Sequence, residues 1–191
     1  QVIFQVQTST PTSLQGTYPL TWADPVGGDW ATPDLNIPAN AVTGALEFID
    51  DGDTGNDPTY GHPLSQDACS GTSPAPSASS LAGKIAVVYR GQCQFGHKAR
   101  VAENAGAIAC IIINHTGAPV GMAGGDSGLV TTIPVIMISE QDGQLLQAAI
   151  ANGDITQAFI GNKLGIFNDD LVSNLGDVLR SRRYSIFTPL S

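Results

Sequence analysis

The sequence predicts an α/β (α+β) domain with a β-rich N-terminal extension, and three observations carry that prediction. From Lys84 to Ile160 short apolar runs alternate with helix-patterned segments, the order expected of parallel βαβ pairing. Hydrophobic residues reach 42% and charged residues only 13%, with 22 glycines and 12 prolines, which describes a loop-rich globular chain able to bury a core. Residues 1–41 instead alternate β-prone pieces such as Val2 to Val6 with punctuation at Pro11, Pro19, Pro25, Pro33 and Pro38.

Taken in order, Val42 to Ile49 reads as one strand, followed by the acidic turn-rich Asp50 to Asp57 and the Pro/Ser-rich Gly71 to Ser80. Ile85 to Tyr89 is the next strand. Phe95 to Ala105 reads as a helix with Phe95, Ala99, Ala102 and Ala105 on one face, ended at Gly106. Ile108 to Ile113 and Ile133 to Ile138 are buried strands, and Ser139 with Asp142 three residues on caps a helix running to Ala151. Asp154 to Ile160 supplies a last strand, and Leu171, Leu175, Val178 and Leu179 recur at helical spacing. The expected division is therefore an extension over 1–41, a domain over 42–165 and a C-terminal extension with a short helix over 166–191.

Charge narrows the function classes. Residues 1–83 hold nine Asp or Glu and no Lys or Arg, while the remainder balances eight against eight. Such a chain lacks the clustered positive charge that nucleic acid and anionic membranes require. No apolar run approaches the roughly 20 residues of a membrane-spanning helix. The start at Gln1 and not Met fits an exported, processed product or an artificially trimmed chain. The cysteines, Cys69, Cys93 and Cys110, lack zinc-ligand spacing. Cys69 follows a polar loop and Cys93 ends a strand, whereas Cys110 lies in an apolar run; a Cys69–Cys93 disulfide is expected, worth roughly 3 to 4 kcal/mol in the chain-entropy model and pointing to a secreted or cell-surface location.

The stretch GKIAVVYRGQCQF, Gly83 to Phe95, continuing through HKARVAENAGA to Ala107, then IACIIIN and IPVIMIS with EQDGQLLQAAIANG, resembles the protease-associated (PA) domain of secreted and vacuolar proteases and sorting receptors. The resemblance implies a curved β-sheet assembly or open barrel flanked by helices, with no active site, serving as a lid or a partner-binding module. It implies pairing of the R-G-x-C cysteine, Cys93, with one upstream, and it makes Arg90 and Gln92 the expected partner contacts. Physically, Gly91 allows a tight turn, Cys93 ties it and Phe95 anchors the helix start, so Arg90 stands on a rigid corner with a fork suited to a carboxylate or peptide carbonyl. A structural alternative pairs Arg90 with a local acid such as Asp126.

Other motifs have plainer readings. Gly125 to Gly128 spells G-D-S-G, but no His-containing partner block accompanies Ser127, so no catalytic residue is assigned. His62, His97 and His115 are isolated in sequence, and His97, Lys98 and Arg100 read as a small basic helix face. Asp50, Asp51, Asp53, Asn56 and Asp57 place oxygen donors in one loop; they are the calcium candidates, although the EF-hand register fails at Gly55, and no other cofactor is expected. Asn114-His115-Thr116 is a glycosylation sequon that a loop would expose, and Arg180, Arg182 and Arg183 form a C-terminal basic cluster.

The functional expectation is a non-catalytic extracellular interaction domain for a protein or peptide partner, recognising it through the Arg90 corner and the loop Thr116 to Thr132. A second expectation is self-association as a structural subunit of a surface layer or filament, with Gln1 to Thr10 adding to a neighbour's sheet edge.

Overall fold

The computed structural model describes residues 1–70 and 80–163. Two open sheets share the chain. The first is built of β1 (Val2–Ser9), β2 (Gly16–Tyr18), β4 (Val42–Gly44) and β9 (Ile155–Asn162) in the order β2-β1-β9-β4, all antiparallel. The second runs β3-β8-β7-β6-β5, from β3 (Leu20–Trp22), β5 (Leu46–Phe48), β6 (Ile85–Tyr89), β7 (Ala109–Ile113) and β8 (Val135–Ile138). Its four strands β5 to β8 are parallel, and β3 closes one edge antiparallel to β8.

Strands β6, β7 and β8 are buried on both faces, which is why they read as continuous apolar runs. Successive side chains alternate between two cores. Ile85, Val87, Ile111, Ile113, Ile136 and Ile138 face Leu146 and Ile150 of α3 (Glu140–Ala151) together with Phe4 and Ile160 of the first sheet. Ala86, Val88, Cys110, Ile112, Val135 and Met137 face Ala99 and Ala102 of α1 (Phe95–Asn104) and Ala105 at its C-terminal cap. The Ser139 hydroxyl accepts the Asp142 amide at 2.9 Å, so the expected cap forms and α3 begins where the capping pattern places it.

Three expectations are corrected here. Val42 to Ile49 is not one strand: β4 pairs with β9 and β5 with β6, so the chain changes sheet at Ala45. A Cβ on Gly44 would stand 3.0 Å from the Gly83 carbonyl, a long-range contact that local propensity does not contain. Residues 1–41 are built into both sheets through β1, β2 and β3 and do not form a separate appendage. Val2–Ser9 lies between β2 and β9, so it offers no free edge for a neighbouring subunit. The helix read at Leu171 to Leu179 and the cluster Arg180, Arg182 and Arg183 lie outside the described residues.

The G-D-S-G string is a packing element. Gly125–Gly128 forms the single-turn α2, seated against α1. A Cβ on Gly96 would come within 1.9 Å of the Gly124 carbonyl oxygen, so the two elements touch through bare backbone. Ser127 contributes its carbonyl to the Thr131 hydroxyl at 2.8 Å.

Candidate functional site: a polar corner and a ring-lined pocket

The turn between β6 and α1 forms the corner. Cys93 is joined to Cys69 across 24 residues, with Cα atoms 5.6 Å apart, as the sequence predicts, while Cys110 is a buried free thiol whose pKa burial pushes up to about 12. The disulfide brings the acidic segment 50–70 against the corner. There the carboxylates act as backbone caps. Asp51 accepts the amides of Asp53 at 3.1 Å and Cys69 at 3.2 Å, Asp50 accepts that of Gly52, and Asp57 accepts those of Thr59 and Tyr60 at 2.8 Å. Asp57 also accepts the Gln92 side-chain amide at 2.8 Å, and the Tyr60 amide followed by Gln92 holds its carboxyl below the usual range. Among the described residues no three His, Cys, Asp or Glu side chains converge as a metal site.

The two expected partner contacts are engaged within the chain. Gln92 adopts a left-handed φ of 58° and clips Asp57. Arg90 donates to the Asn114 side-chain oxygen at 2.9 Å and lies over the Phe95 ring at 5.4 Å, so its partner is an amide and not Asp126. Asn114 is 1% exposed, and its amide donates to the carbonyls of Thr116 and Ala118, both at 2.7 Å. The sequon asparagine expected on an exposed loop is therefore an internal strut. The basic helix face dissolves likewise: Lys98 is fully buried, and Arg100 pairs with Glu103 at 2.7 Å.

The structure also assembles what the sequence left scattered. Phe48, Tyr89, His62, Tyr60 and His115 stack in series, with successive ring centroids 5.5, 4.8, 6.4 and 3.9 Å apart and interplanar angles of 14° or less. His62 is 8% exposed, and its Nε2 and the Nδ1 of His115 are buried with no hydrogen-bond partner. Burial lowers the pKa of both imidazoles. His62 is pushed further down by Lys98 and His115, against the pull of Asp57; His115 is pushed down by Arg90 and Lys98, against Asp57 and Glu140.

Beside the column lies an open pocket of about 300 Å³, lined among others by Tyr60, His62, Tyr89, His115, Glu140 and Gln144. It sits where β6 ends at Tyr89, β7 at Ile113 and β8 just before α3, the carboxyl edge at which open parallel sheets place their ligands. Sequence reasoning located the three strands and the two histidines but did not use that rule, which alone would have nominated this edge.

Comparison with known proteins agrees with this architecture. Residues 56–146 match the model of the PA domain, and the chain carries a PA domain. It is 36% identical over 143 residues to signal peptide peptidase-like 3 of Arabidopsis thaliana, covering 70% of this chain and 23% of that protein. It is 31% identical over 116 residues to ER degradation-enhancing alpha-mannosidase-like protein 3 of Xenopus laevis, covering 56% and 12%. Its fold is shared with a zinc aminopeptidase from Bacillus subtilis, at a TM-score of 0.52 and 22% identity over 84% of this chain and 29% of that one. The chain thus spans less than a quarter of the curated relatives it matches.

Proposed function

We propose that this chain is a non-catalytic accessory domain of a larger secretory-pathway or extracellular protein, and that it recognises a protein or peptide partner at the carboxyl edge of its parallel sheet. The observation that carries the reading is the mismatch between what the relatives are called and what they share with this chain. One is named for a peptidase and another for a mannosidase, yet each matches through a minor part of its length, so this common scaffold is a poor place to look for either chemistry. The Cys69–Cys93 bond supports an oxidising compartment.

The recognition surface is the pocket rim together with the neighbouring Arg90 corner. Arg90 and Gln92 act by fixing Asn114 and Asp57, which hold the rim in place, and Tyr60, 44% exposed, offers the ring face a partner would cover. Selection from a displayed peptide library on the purified chain is the test. Tyr60→Ala and Gln144→Ala should each weaken the selected peptides at least tenfold with the melting temperature unchanged. Equal binding by both variants, or turnover of a peptide or glycoside substrate that survives Ser127→Ala, would sink the reading.

A further inference from the structure

Lys98, on α1, is 0% exposed, and its ammonium donates to the Asp67 carbonyl at 2.5 Å and to the Cys69 Sγ at 2.9 Å. An ammonium carries three donors, and a disulfide sulfur is a poor acceptor, so in the oxidised protein this charge is incompletely satisfied. A thiolate at the same position is a strong, charged acceptor. The contact therefore gains strength when the disulfide opens, and stabilising the reduced form is what makes a disulfide easy to reduce.

We propose that Cys69–Cys93 is an exchange-reactive disulfide, opened by a dithiol reductant, with Cys69 leaving as a thiolate held by Lys98. Cys93 is the sulfur attacked: both cysteines are half-buried, but Cys93 stands between the exposed Gln92 and Gln94, while Cys69 Sγ faces Lys98 and the Gly91 carbonyl at 3.2 Å, where the leaving thiolate is held. A thiolate of the reductant bonds to Cys93 Sγ, the Cys69–Cys93 bond breaks, and its electron pair goes to Cys69. The second thiol of the reductant then displaces Cys93, which takes up a proton. The net change is a two-electron reduction of the protein disulfide, oxidation of the dithiol to its own disulfide and release of one proton while Cys69 stays ionised. Burial lowers Lys98 to about 8, partly offset by Asp67, so the ammonium prevails at neutral pH.

Opening this bond has a structural consequence. The disulfide and the Gln92–Asp57 clip fasten the segment carrying Tyr60 and His62, one wall of the pocket, to the β6–α1 corner. Reduction removes the covalent half of that fastening.

The test equilibrates the purified chain in buffers of reduced and oxidised dithiothreitol and follows each cysteine by alkylation and peptide mapping, which keeps buried Cys110 separate. Lys98→Met should make the disulfide at least tenfold harder to reduce, a shift of about 30 mV for a two-electron couple, and amide exchange over residues 57–62 should rise on reduction of the wild type. An unchanged reduction equilibrium in Lys98→Met would overturn the proposal. Should that variant not fold, Cys93→Ser with Lys98 intact decides: alkylation of Cys69 should show a pH midpoint below that of an ordinary thiol, about 8.5, and a midpoint at or above it sinks the idea.

Discussion

The centre of the parallel sheet and the β6–α1 corner lie next to each other and are stabilised by opposite means. In the sheet, Ile85, Ile111, Ile112 and Ile136 are all 0% exposed and belong to the two apolar clusters, so stability there scales with buried area and is tolerant of which atoms provide it. In the corner, Asp51, Asp57, Asp67, His62, Lys98 and Asn114 are buried polar groups, and stability depends on each finding its partner. The first region makes the scaffold; the second shapes the pocket at the carboxyl edge of the parallel sheet.

The largest single-residue effect is expected in the sheet. Ile111→Ala empties space on the central strand and should cost about 4 kcal/mol in denaturant unfolding, the range of large-to-small core substitutions. In the corner, replacing both Cys69 and Cys93 by Ala should cost about 3 kcal/mol. Asp51→Ala, which deprives the Asp53 amide of its acceptor and leaves the Cys69 amide to Asp67 alone, should cost about 2 kcal/mol. Should Asp51→Ala match Ile111→Ala in cost, the corner is no mere annex to the apolar core and the contrast between the regions is wrong.

Acid sharpens the same contrast, because two imidazoles with lowered pKa values, His62 and His115, line the pocket beside the corner. The imidazoles of His62 and His115 have folded pKa values below the ordinary 6.5, so the unfolded chain binds more protons than the folded one as pH falls from about 6.5 through those lowered values. The stability they contribute is present above that window and is lost within it. Melting temperature should decline between pH 7.5 and 5, and the double variant His62→Gln, His115→Gln should flatten the decline. A parallel loss in the double variant would place the acid sensitivity elsewhere.

What could be read from the chain divides along the same line. Strands β6, β7 and β8 and helices α1 and α3 were legible to within about two residues, because apolar period and capping chemistry are local signals. The break between β4 and β5 was not, since it answers to Gly83 packing against Gly44 from across the fold. Lys98 is instructive because the signal existed. It lies four residues before Ala102 and seven before Ala105, within the apolar stripe of α1, yet its charge and the flanking His97 and Arg100 suggested a solvated patch. Asn114 misled in the same way: the sequon is a local string, whereas its burial depends on Arg90 and on the carbonyls of the following loop.

Two lysines make the smallest prediction, and a discriminating one. Lys84, just before β6, pairs with Glu47 of β5, their side chains 40% and 38% exposed, whereas Lys98 is enclosed. An exposed ion pair gains little over its hydrated partners and is screened by salt, so Lys84→Met should change stability by less than about 0.5 kcal/mol at any pH from 6 to 9. Lys98 titrates at about 8 in the fold against an ordinary 10.5, so its contribution is fully present only above 10.5 and is lost as pH falls through about 8. Stability of the wild type should therefore fall relative to Lys98→Met as pH is lowered from 10 to 7, while Lys84→Met tracks the wild type throughout. Equal pH profiles for the two substitutions would mean that the Lys98 ammonium is hydrated, and that the enclosed corner is in practice open to water.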